Sequence, residues 1–291
     1  MPRFHHILFP VDYSPRCVAT VPFVRDMLRT SGAHLSTLYS VPIPFYPPDV
    51  AWPGLIQIQE EDLDAAKHRL ENFNREQFAN VTDGTIIQAY CDSGDPASAI
   101  IGFADRNDVD LIMMPTHGYG PFRSFLLGSV TAKVLHDAKC PVWTSAHIED
   151  PGIETHLPVR SIVCGLDTKQ EDLPVLHLAK CLAREESAKL RVVHAYPQIT
   201  VRPGKYFDQE LEEDIAQGAW HELSKMEREA GVDADIIVEG GNVSEVVRDV
   251  VNRFEADLVV IGRGSLHQPF GRLRSNVYAI VRDSPRPVLS L

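Results

Sequence analysis

Short apolar runs alternate with amphipathic segments along the whole chain. In the first half the apolar runs predict buried strands near residues 5–12, 35–41, 85–91, 110–115 and 141–145. Segments with a helical period lie between them, near residues 15–31, 56–80, 95–106 and 128–138. Strands that alternate with helices are joined by right-handed crossovers, so the pattern predicts an α/β fold with a parallel sheet.

The pattern occurs twice, which indicates an internal duplication. The segment HHILFPVD at 5–12 matches RSIVCGLD at 160–167, and each apolar run ends in an aspartate. Residues 94–114 match residues 241–261, with glycine, small cap residue, helix, acidic turn and strand in the same order. The offset falls from 155 to 147 residues between these two matches. We attribute the decrease to a shorter loop and helix region between the second and third strands of the second copy.

A chain of 291 residues is long enough for two domains, each with its own core. The repeat places one domain at residues 1–146 and the other at residues 160–291. The segment 147–159 carries prolines, a glycine and acidic residues without an amphipathic period, which is typical of a linker. A proline-rich stretch at 42–54 follows the second strand, and we expect a long loop there that could act as a lid.

Charge and cysteine content narrow the function. The 40 acidic residues against 28 basic ones disfavour binding to DNA phosphates or to anionic membranes. No window carries the roughly 18 apolar residues of a membrane-spanning helix, and the first residues do not resemble a signal peptide. We therefore expect a cytoplasmic protein. Its five scattered cysteines form no CxxC pair, and we expect them to be reduced packing residues.

Candidate chemistry lies where the predicted strands end, because open parallel sheets bind ligands at the carboxyl ends of their strands. Asp12 ends the first strand. After the fourth strand, Gly118 and Gly128 bracket nine residues before a helix that opens at Ser129. Glycine lets a phosphate approach the backbone closely, and the free amides of a helix start favour an anion. The segment therefore predicts a phosphate-binding turn.

These residues resemble the nucleotide-binding pattern of the universal stress protein family, and the resemblance covers both halves of the chain. The family pattern is Gly, two residues, Gly, nine residues, Gly, then Ser or Thr. The first half has Pro115, two residues, Gly118, nine residues, Gly128 and Ser129, so three of the four elements match. The departure is Pro115, which lacks the N–H that a glycine would offer to the ribose.

The resemblance implies two tandem Rossmann-like domains of the adenine nucleotide α-hydrolase-like type, each with a five-stranded parallel sheet in the order 3-2-1-4-5. It also implies a site for ATP or a related adenine nucleotide, with or without Mg²⁺. The residues implied for the adenosine part are Val11, Asp12, Val41, Met114 and Pro115. Those implied for the phosphates are Gly118, Gly128, Ser129, Val130 and Thr131.

The second half departs further from the family pattern. Its aligned residues are Asp167, Gly262, Ser265, Ser275 and Asn276. Serines replace both phosphate glycines, and a Cβ obstructs close approach to the backbone and disfavours positive φ. We therefore expect the first half to be the better nucleotide site. Three arginines, Arg263, Arg272 and Arg274, could still attract an anion or could be solvated surface residues.

Structural roles compete with several of these functional ones. Asp12 and Asp167 could serve only as helix caps, and Gly128 with Ser129 could be only a tight turn and helix start. His117 could contact phosphate or face solvent. The histidines show no spacing typical of a metal site on a helix, and no GxSxG elbow, Walker lysine or Ser-His-Asp series indicates catalysis.

We therefore expect a stress-response sensor or regulator that binds an adenine nucleotide, acts on protein partners and is not primarily an enzyme. A nucleotide-independent interaction scaffold and a slow nucleotide hydrolase are the alternatives. The resemblance also implies pairing of the last strands, which members of the family commonly make between subunits, and here we predict that the strands near 141–145 and 287–290 pair within the chain. Such pairing would also protect edge strands, which promote aggregation when unpaired. The result would be an intramolecular pseudo-dimer, with a homodimer of the whole chain left open.

Overall fold

The computed structural model describes residues 4–41, 55–79, 81, 84–117, 127–145, 159–198, 207–264 and 272–291, and of 55–61, 207–210 and 272–275 only the backbone. Within these ranges each half alternates five strands with four α-helices. The first half contains β1 (His6–Pro10), α1 (Pro15–Ser31), β2 (His34–Val41), α2 (Leu55–Phe78), β3 (Ile87–Ser93), α3 (Pro96–Arg106), β4 (Leu111–Met114), α4 (Ser129–Asp137) and β5 (Val142–Thr144). The second contains β6 (Ser161–Gly165), α5 (Leu173–Glu186), β7 (Lys189–Tyr196), α6 (Phe207–Ala230), β8 (Asp235–Gly240), α7 (Val243–Arg253), β9 (Leu258–Ile261), α8 (Arg272–Asp283) and β10 (Val288–Ser290).

Short polar residues fix where the helices begin. Ser14 caps α1 by accepting the Cys17 N–H, and Asp95 caps α3 by accepting the Ser98 N–H. A proline follows each of these caps, at the helix position where the missing N–H costs nothing. Asn242 caps α7 in the same manner. These local signals explain why the predicted helix starts agree closely with the structure.

All ten strands form one sheet in the order β3-β2-β1-β4-β5-β10-β9-β6-β7-β8. Each half has the implied order 3-2-1-4-5 and is parallel throughout. β5 and β10 pair antiparallel at the centre, with Trp143 opposite Leu289. The Thr144 hydroxyl donates to the Val288 carbonyl across this pair. The predicted pairing of the last strands is therefore confirmed.

A separate apolar layer packs on each face of the sheet. Alternate residues of one strand enter different layers, so that Ile7 and Phe9 belong to one and Leu8 to the other. The first layer lies beneath α1, α2, α5 and α6, and the second beneath α3, α4, α7 and α8. Each layer runs across both halves, so the halves share their cores as well as their sheet.

The length difference between the two copies lies outside the helices. Helices α2 and α6 have 24 residues each. The region between the second and third strands is shorter in the second copy, as predicted, and the shortening lies in the segments that connect the helix to the strands. The proline-rich stretch at 42–54 lies outside the described residues. The predicted linker at 147–159 also lies outside them, except for Val159.

Candidate functional site

A cleft of about 290 Å³, called here the first cleft, lies at the carboxyl ends of β1, β2 and β4. The strand order reverses between β1 and β4, which is where open α/β sheets bind ligands. Its described lining consists of Pro10, Val11, Asp12, Leu38, Tyr39, Ser40, Pro96, Ile100, Met114, Pro115, His117, Gly128, Ser129, Val130 and Thr131. Eight of the ten residues implied for this half are thus brought together.

Two implied residues of the first half are not among the described residues that line the first cleft. Val41 ends β2 and does not line the first cleft, and its carbonyl accepts the Gly94 N–H at 3.1 Å. Gly118 lies outside the described residues. The adenine contact of Val41 and the phosphate contact of Gly118 therefore stay predictions.

Asp12 occupies the turn between β1 and α1, with its side chain at the first cleft. Its Oδ1 accepts the Ser14 N–H at 2.9 Å, whereas the Ser14 hydroxyl accepts the Cys17 N–H and caps α1. The helix-capping role suggested for Asp12 is therefore wrong. Tyr13 between them has a φ of 60°, and this left-handed residue turns the chain away from the strand.

The β2 side of the first cleft carries residues that the sequence pattern did not indicate. Leu38 accepts the Val11 N–H at 2.8 Å, so a ligand at Val11 would meet its carbonyl rather than its N–H. The Tyr39 ring packs on Tyr13 with 5.1 Å between centroids, and the Arg69 guanidinium lies 4.0 Å from the Tyr13 ring centroid. The signal for Tyr39 was available, because strand ends that neighbour in a parallel sheet meet at one edge.

Gly128 is the residue immediately before α4, and a glycine fits there because the His117 backbone lies very close to it. Its φ of −62° and ψ of 143° suit any residue, so the conformation does not require glycine. Its N–H donates to the Thr116 carbonyl, and a Cβ on Gly128 would lie 3.1 Å from the Cα of His117. The tight-turn role is therefore real. The turn at Gly128 also places the first N–H groups of α4 at the first cleft, and these groups have no acceptor within the helix.

The hydroxyls at the start of α4 are not equivalent. Thr131 is buried, and its hydroxyl donates to the Pro115 carbonyl at 3.1 Å. Ser129 is exposed and lines the first cleft, so its hydroxyl is the one better placed for a phosphate. His117 is 4% exposed, with Nδ1 3.0 Å from the Thr116 hydroxyl. The solvent-facing alternative for His117 is therefore wrong, and its contact with phosphate stays a prediction.

A second cleft of about 330 Å³ occupies the same place in the other half. It brings together Asp167, Gly262 and Asn276. Ser265 lies outside the described residues, and Ser275 lies in the first turn of α8 with its side chain outside the description. Substitution of both phosphate glycines has therefore not closed this cleft. Its described lining includes Leu166, Lys169, Glu171, Asp172, Val175, Val193, His194, Val243, Arg263, Val277 and Leu291.

The turn that follows β6 differs from the turn that follows β1. Asp167 pairs with Lys169 at 2.8 Å, and its N–H donates to Asp172 Oδ2 at 2.6 Å. Asp172, which precedes α5 directly, occupies the N-cap position, so the capping role suggested for Asp167 is also wrong. The Leu166 carbonyl accepts a hydrogen bond from His194 Nδ1 at 2.9 Å. Leu166 corresponds to Val11 of the first half, so the carbonyl that a ligand would meet at this position already accepts a hydrogen bond.

A carboxylate lies against the backbone in the second cleft. A Cβ on Gly262 would be 3.3 Å from Asp172 Oδ1. Burial raises the pKa of Asp172, although the Asp167 N–H that it accepts works in the opposite direction. Asp167 and Glu171 add two further carboxylates to the lining. A phosphate bound as the family pattern implies would therefore meet acidic groups in the second half.

Arg263 lines the second cleft, but its guanidinium is held by the first half. Its guanidinium crosses to the first half and donates to the carbonyls of Leu135 at 3.1 Å and Cys140 at 2.7 Å. Burial lowers the pKa of this arginine. The role of solvated surface residue suggested for Arg263 is therefore wrong, and its attraction of an anion stays a prediction. The side chains of Arg272 and Arg274 lie outside the description.

The remaining titratable groups indicate no further chemistry. The five cysteines are free, and burial raises the pKa of Cys17 to about 12 and that of Cys140 to about 11. In the part of the chain that the structure describes, no three metal-ligating side chains cluster, and no helix has the length and apolarity needed to cross a bilayer.

Comparisons with known proteins agree with this geometry. The model of the universal stress protein family matches the chain twice, at residues 3–145 and 158–290. A universal stress protein of Thermus aquaticus is 31% identical over 140 residues, covering 48% of this chain and 96% of its own length. One from Methanocaldococcus jannaschii is 27% identical over 142 residues, covering 48% of this chain and 80% of its own.

A solved structure shows the same two-domain fold. The universal stress protein of Archaeoglobus fulgidus superimposes with a TM-score of 0.63 at 20% identity, covering 98% of this chain and 95% of the other. Both copies here match the family model, and both have a cleft at the carboxyl ends of their strands. The chain therefore belongs to the universal stress protein family, as a tandem two-domain member.

Proposed function

We propose that this protein is a cytoplasmic stress-response sensor that binds ATP or a related adenine nucleotide in the first cleft. Occupancy of the cleft would alter a surface that protein partners recognise. The observation that carries the proposal is the lining of the first cleft, where apolar side chains, one carboxylate and the amino-terminal end of α4 converge. Small-molecule and cofactor sites combine a mostly apolar wall with a few such polar groups.

The lining divides naturally between the parts of a nucleotide. Leu38, Ile100 and Met114 offer the apolar surface that a purine needs. The Asp12 carboxylate is an acceptor suited to ribose hydroxyls. The amides at the start of α4 and the Ser129 hydroxyl would receive the phosphates. Asp12 is the one carboxylate in the described lining, so Mg²⁺ would be held mainly by the phosphates and by water.

We propose a regulator in preference to an enzyme. Phosphoryl transfer requires cations that neutralise the charge developing on the transferred group. The described lining of the first cleft includes no lysine or arginine. Hydrolysis of a bound nucleotide would therefore be slow, and the nucleotide would act by its presence.

Nucleotide analysis tests the proposal directly. The purified full-length protein is denatured and its supernatant is analysed for adenine nucleotides, and protein freed of ligand is titrated with ATP, ADP and AMP. We expect close to one nucleotide per chain. Loss of binding in Asp12→Ala, with an unchanged circular dichroism spectrum, would place the nucleotide in the first cleft.

A nucleotide-independent scaffold is the second candidate, and Pro115 favours it because it removes one amide from the nucleotide motif. In that case the supernatant carries no nucleotide and the titrations give no heat. Turnover that is proportional to protein concentration and disappears in the Asp12 variant would instead identify a slow hydrolase.

A further inference from the structure

The turn after the first strand of each half holds a residue in a backbone conformation that side chains disfavour. Tyr13 has a φ of 60°, and Thr168, at the corresponding turn of the second half, has a φ of 58°. A bulky or β-branched residue at positive φ is an outlier, and such outliers persist only where the surrounding structure holds them. The fold therefore sets this turn in both halves, and the side chain at its tip decides what the turn contacts.

The Tyr13 ring connects the first cleft with helix α2. It packs against the ring of Tyr39, which lines the first cleft, with 5.1 Å between ring centroids. The guanidinium of Arg69 on α2 lies 4.0 Å from the Tyr13 ring centroid, which is a cation–π contact. The three side chains thus form a continuous stack, called here the aromatic stack, from a residue that a ligand can touch to the surface of a helix.

Arg69 lies where the anchored part of α2 begins. The next residue, Leu70, is fully buried, and Asn74 one turn later donates to the Thr37 hydroxyl of β2 at 2.8 Å. Residues 62–69 are exposed or half-buried. A helical segment with few buried contacts opens more readily than an anchored one. The contact of Arg69 with the Tyr13 ring therefore contributes a large share of what holds this part of α2.

The second half has the same turn without the aromatic stack. Thr168 carries no ring, and His194 takes the place of Tyr39, since the N–H of Leu166 pairs with Val193 as that of Val11 pairs with Leu38. The His194 ring is held by the Leu166 carbonyl at 2.9 Å. The link between cleft and helix therefore belongs to the half for which we propose the nucleotide.

We propose that the aromatic stack of Tyr39, Tyr13 and Arg69 transmits occupancy of the first cleft to helix α2, whose exposed face around Arg69 is the surface that a nucleotide alters. This inference rests on the proposed nucleotide in the first cleft. A ligand against Tyr39 restricts the motion of its ring, and the restricted ring holds Tyr13 in contact with Arg69. Binding therefore acts by ordering the first turns of α2, with no displacement of the helix.

The coupling must be reciprocal, and this makes its size measurable in two ways. If a nucleotide stabilises the aromatic stack by some factor, the intact stack strengthens nucleotide binding by the same factor. A cation–π contact at an exposed site changes an equilibrium constant about two- to fivefold. Ordering of α2 by the nucleotide and loss of affinity on breaking the stack should both fall in this range.

Hydrogen exchange of the full-length protein, with and without saturating ATP, tests the proposal. We expect ATP to slow exchange in residues 62–73 of α2 about two- to fivefold and to leave the matched part of α6, residues 214–225, unchanged. Tyr13→Asn removes the ring and keeps a residue that tolerates the left-handed turn. It should abolish the effect on α2 and weaken ATP binding by the same factor. Tyr13→Phe keeps the ring and should preserve both.

Two arginine variants separate the aromatic stack from a general effect on the helix. Arg69→Gln should have the same two consequences as Tyr13→Asn. Arg75→Gln is the matched control, because Arg75 is an exposed arginine of α2 that donates to Asn72. ATP binding that leaves α2 exchange unchanged, or a slowing that persists in Arg69→Gln, would overturn this inference and leave the proposed function standing. Absence of ATP binding to the unmodified protein would overturn both.

Discussion

The two clefts of this protein have the same scaffold and different polar groups. Both lie at the carboxyl ends of inner strands, and they differ little in size, at about 290 and 330 Å³. The first cleft presents one carboxylate, that of Asp12, and the amino-terminal end of α4. In the second, a carboxylate lies against Gly262, and His194 occupies the Leu166 carbonyl. Sheet topology therefore provides a cleft in each copy, and a few residues in the turns decide what the cleft can bind.

The difference between the copies also shows how a duplicated fold can divide its functions. Thr131 uses its hydroxyl within the first half, whereas Tyr278, which aligns with it, donates to the Ala132 carbonyl across the junction. Arg263 likewise crosses to α4. The residues that could have served a ligand in the second half hold the two halves together instead.

The largest effect should come from a charge at the start of α4. We expect Ser129→Asp to weaken nucleotide binding about a hundredfold or more, since like charges 4 Å apart repel by about 4 kcal/mol at an effective dielectric constant near 20. The substitution should not harm the fold, because an acidic residue in the first turn stabilises a helix. Calorimetric titration with ATP measures the loss.

The matched change in the second half is Asn276→Asp, at the position of α8 that aligns with Ser129. We expect it to leave the affinity and stoichiometry of the whole chain unchanged. Ser129 is preferable to Gly128 as a test position, because any side chain on Gly128 presses against the His117 backbone. The assignment of the nucleotide to the first cleft fails if Asn276→Asp abolishes binding and Ser129→Asp does not.

The next largest effect concerns the junction. Arg263→Met leaves two partly buried carbonyls, those of Leu135 and Cys140, without their donor, which should cost about 1–3 kcal/mol of unfolding free energy. Urea denaturation should then show the halves unfolding less cooperatively. Arg253→Met is the control, because that side chain is half exposed and pairs with Glu239 on the surface. Exposed pairs contribute about 1 kcal/mol or less. Equal losses in the two variants would contradict the role of Arg263.

Local pattern predicted most of the fold, and long-range contacts explain what it missed. Apolar periodicity and the repeat located the strands of the first half and β6, β9 and β10 of the second, because each signal lies within a short segment. The β5–β10 pair was expected from the resemblance to the family. The burial of Arg263 depends on carbonyls more than a hundred residues away in the chain. The His194 contact with Leu166 depends on the register of neighbouring strands. The glycine pattern indicated the position of the first cleft. The contribution of β2 to its wall depends on which strands are neighbours in the sheet, which the pattern did not indicate.

A smaller effect distinguishes the two halves by pH. His6 is buried with Nδ1 2.8 Å from the Asn107 carbonyl and Nε2 2.8 Å from the Ser36 hydroxyl, and burial lowers its pKa. The folded state therefore binds this proton less readily than the unfolded state. The stability that neutral His6 contributes should be present above about pH 6.5 and lost as the pH falls.

The corresponding residue of the second half is Ser161, which accepts a hydrogen bond from Arg191 and has no such proton to gain. We expect His6→Gln to flatten the dependence of unfolding free energy on pH below about 6.5. His5→Gln should preserve that slope, because His5 is exposed. An unchanged slope in the His6 variant would refute the assignment. Chemical denaturation at several pH values measures it.

The smallest effect should come from Asp172, and its pH dependence has the opposite sign. Because burial raises its pKa in the folded state, its contribution to stability is greatest at acid pH and is lost as the pH rises through the folded value. Asp172→Asn removes the charge and keeps an oxygen that can accept the Asp167 N–H. We expect the unfolding free energy at pH 7 to stay the same or rise by up to about 1 kcal/mol, with no gain near pH 4.

Glu171→Gln is the matched control for Asp172→Asn, since Glu171 lines the same cleft but is exposed. It should leave stability at both pH values nearly unchanged. A loss in Asp172→Asn at pH 7 as large as at pH 4 would show that the carboxylate is needed as an acceptor and carries no burial cost. If the variant also gains a second nucleotide per chain in titration, that carboxylate alone separates the two clefts. If it does not, the missing glycines and the occupied Leu166 carbonyl suffice to keep the nucleotide out.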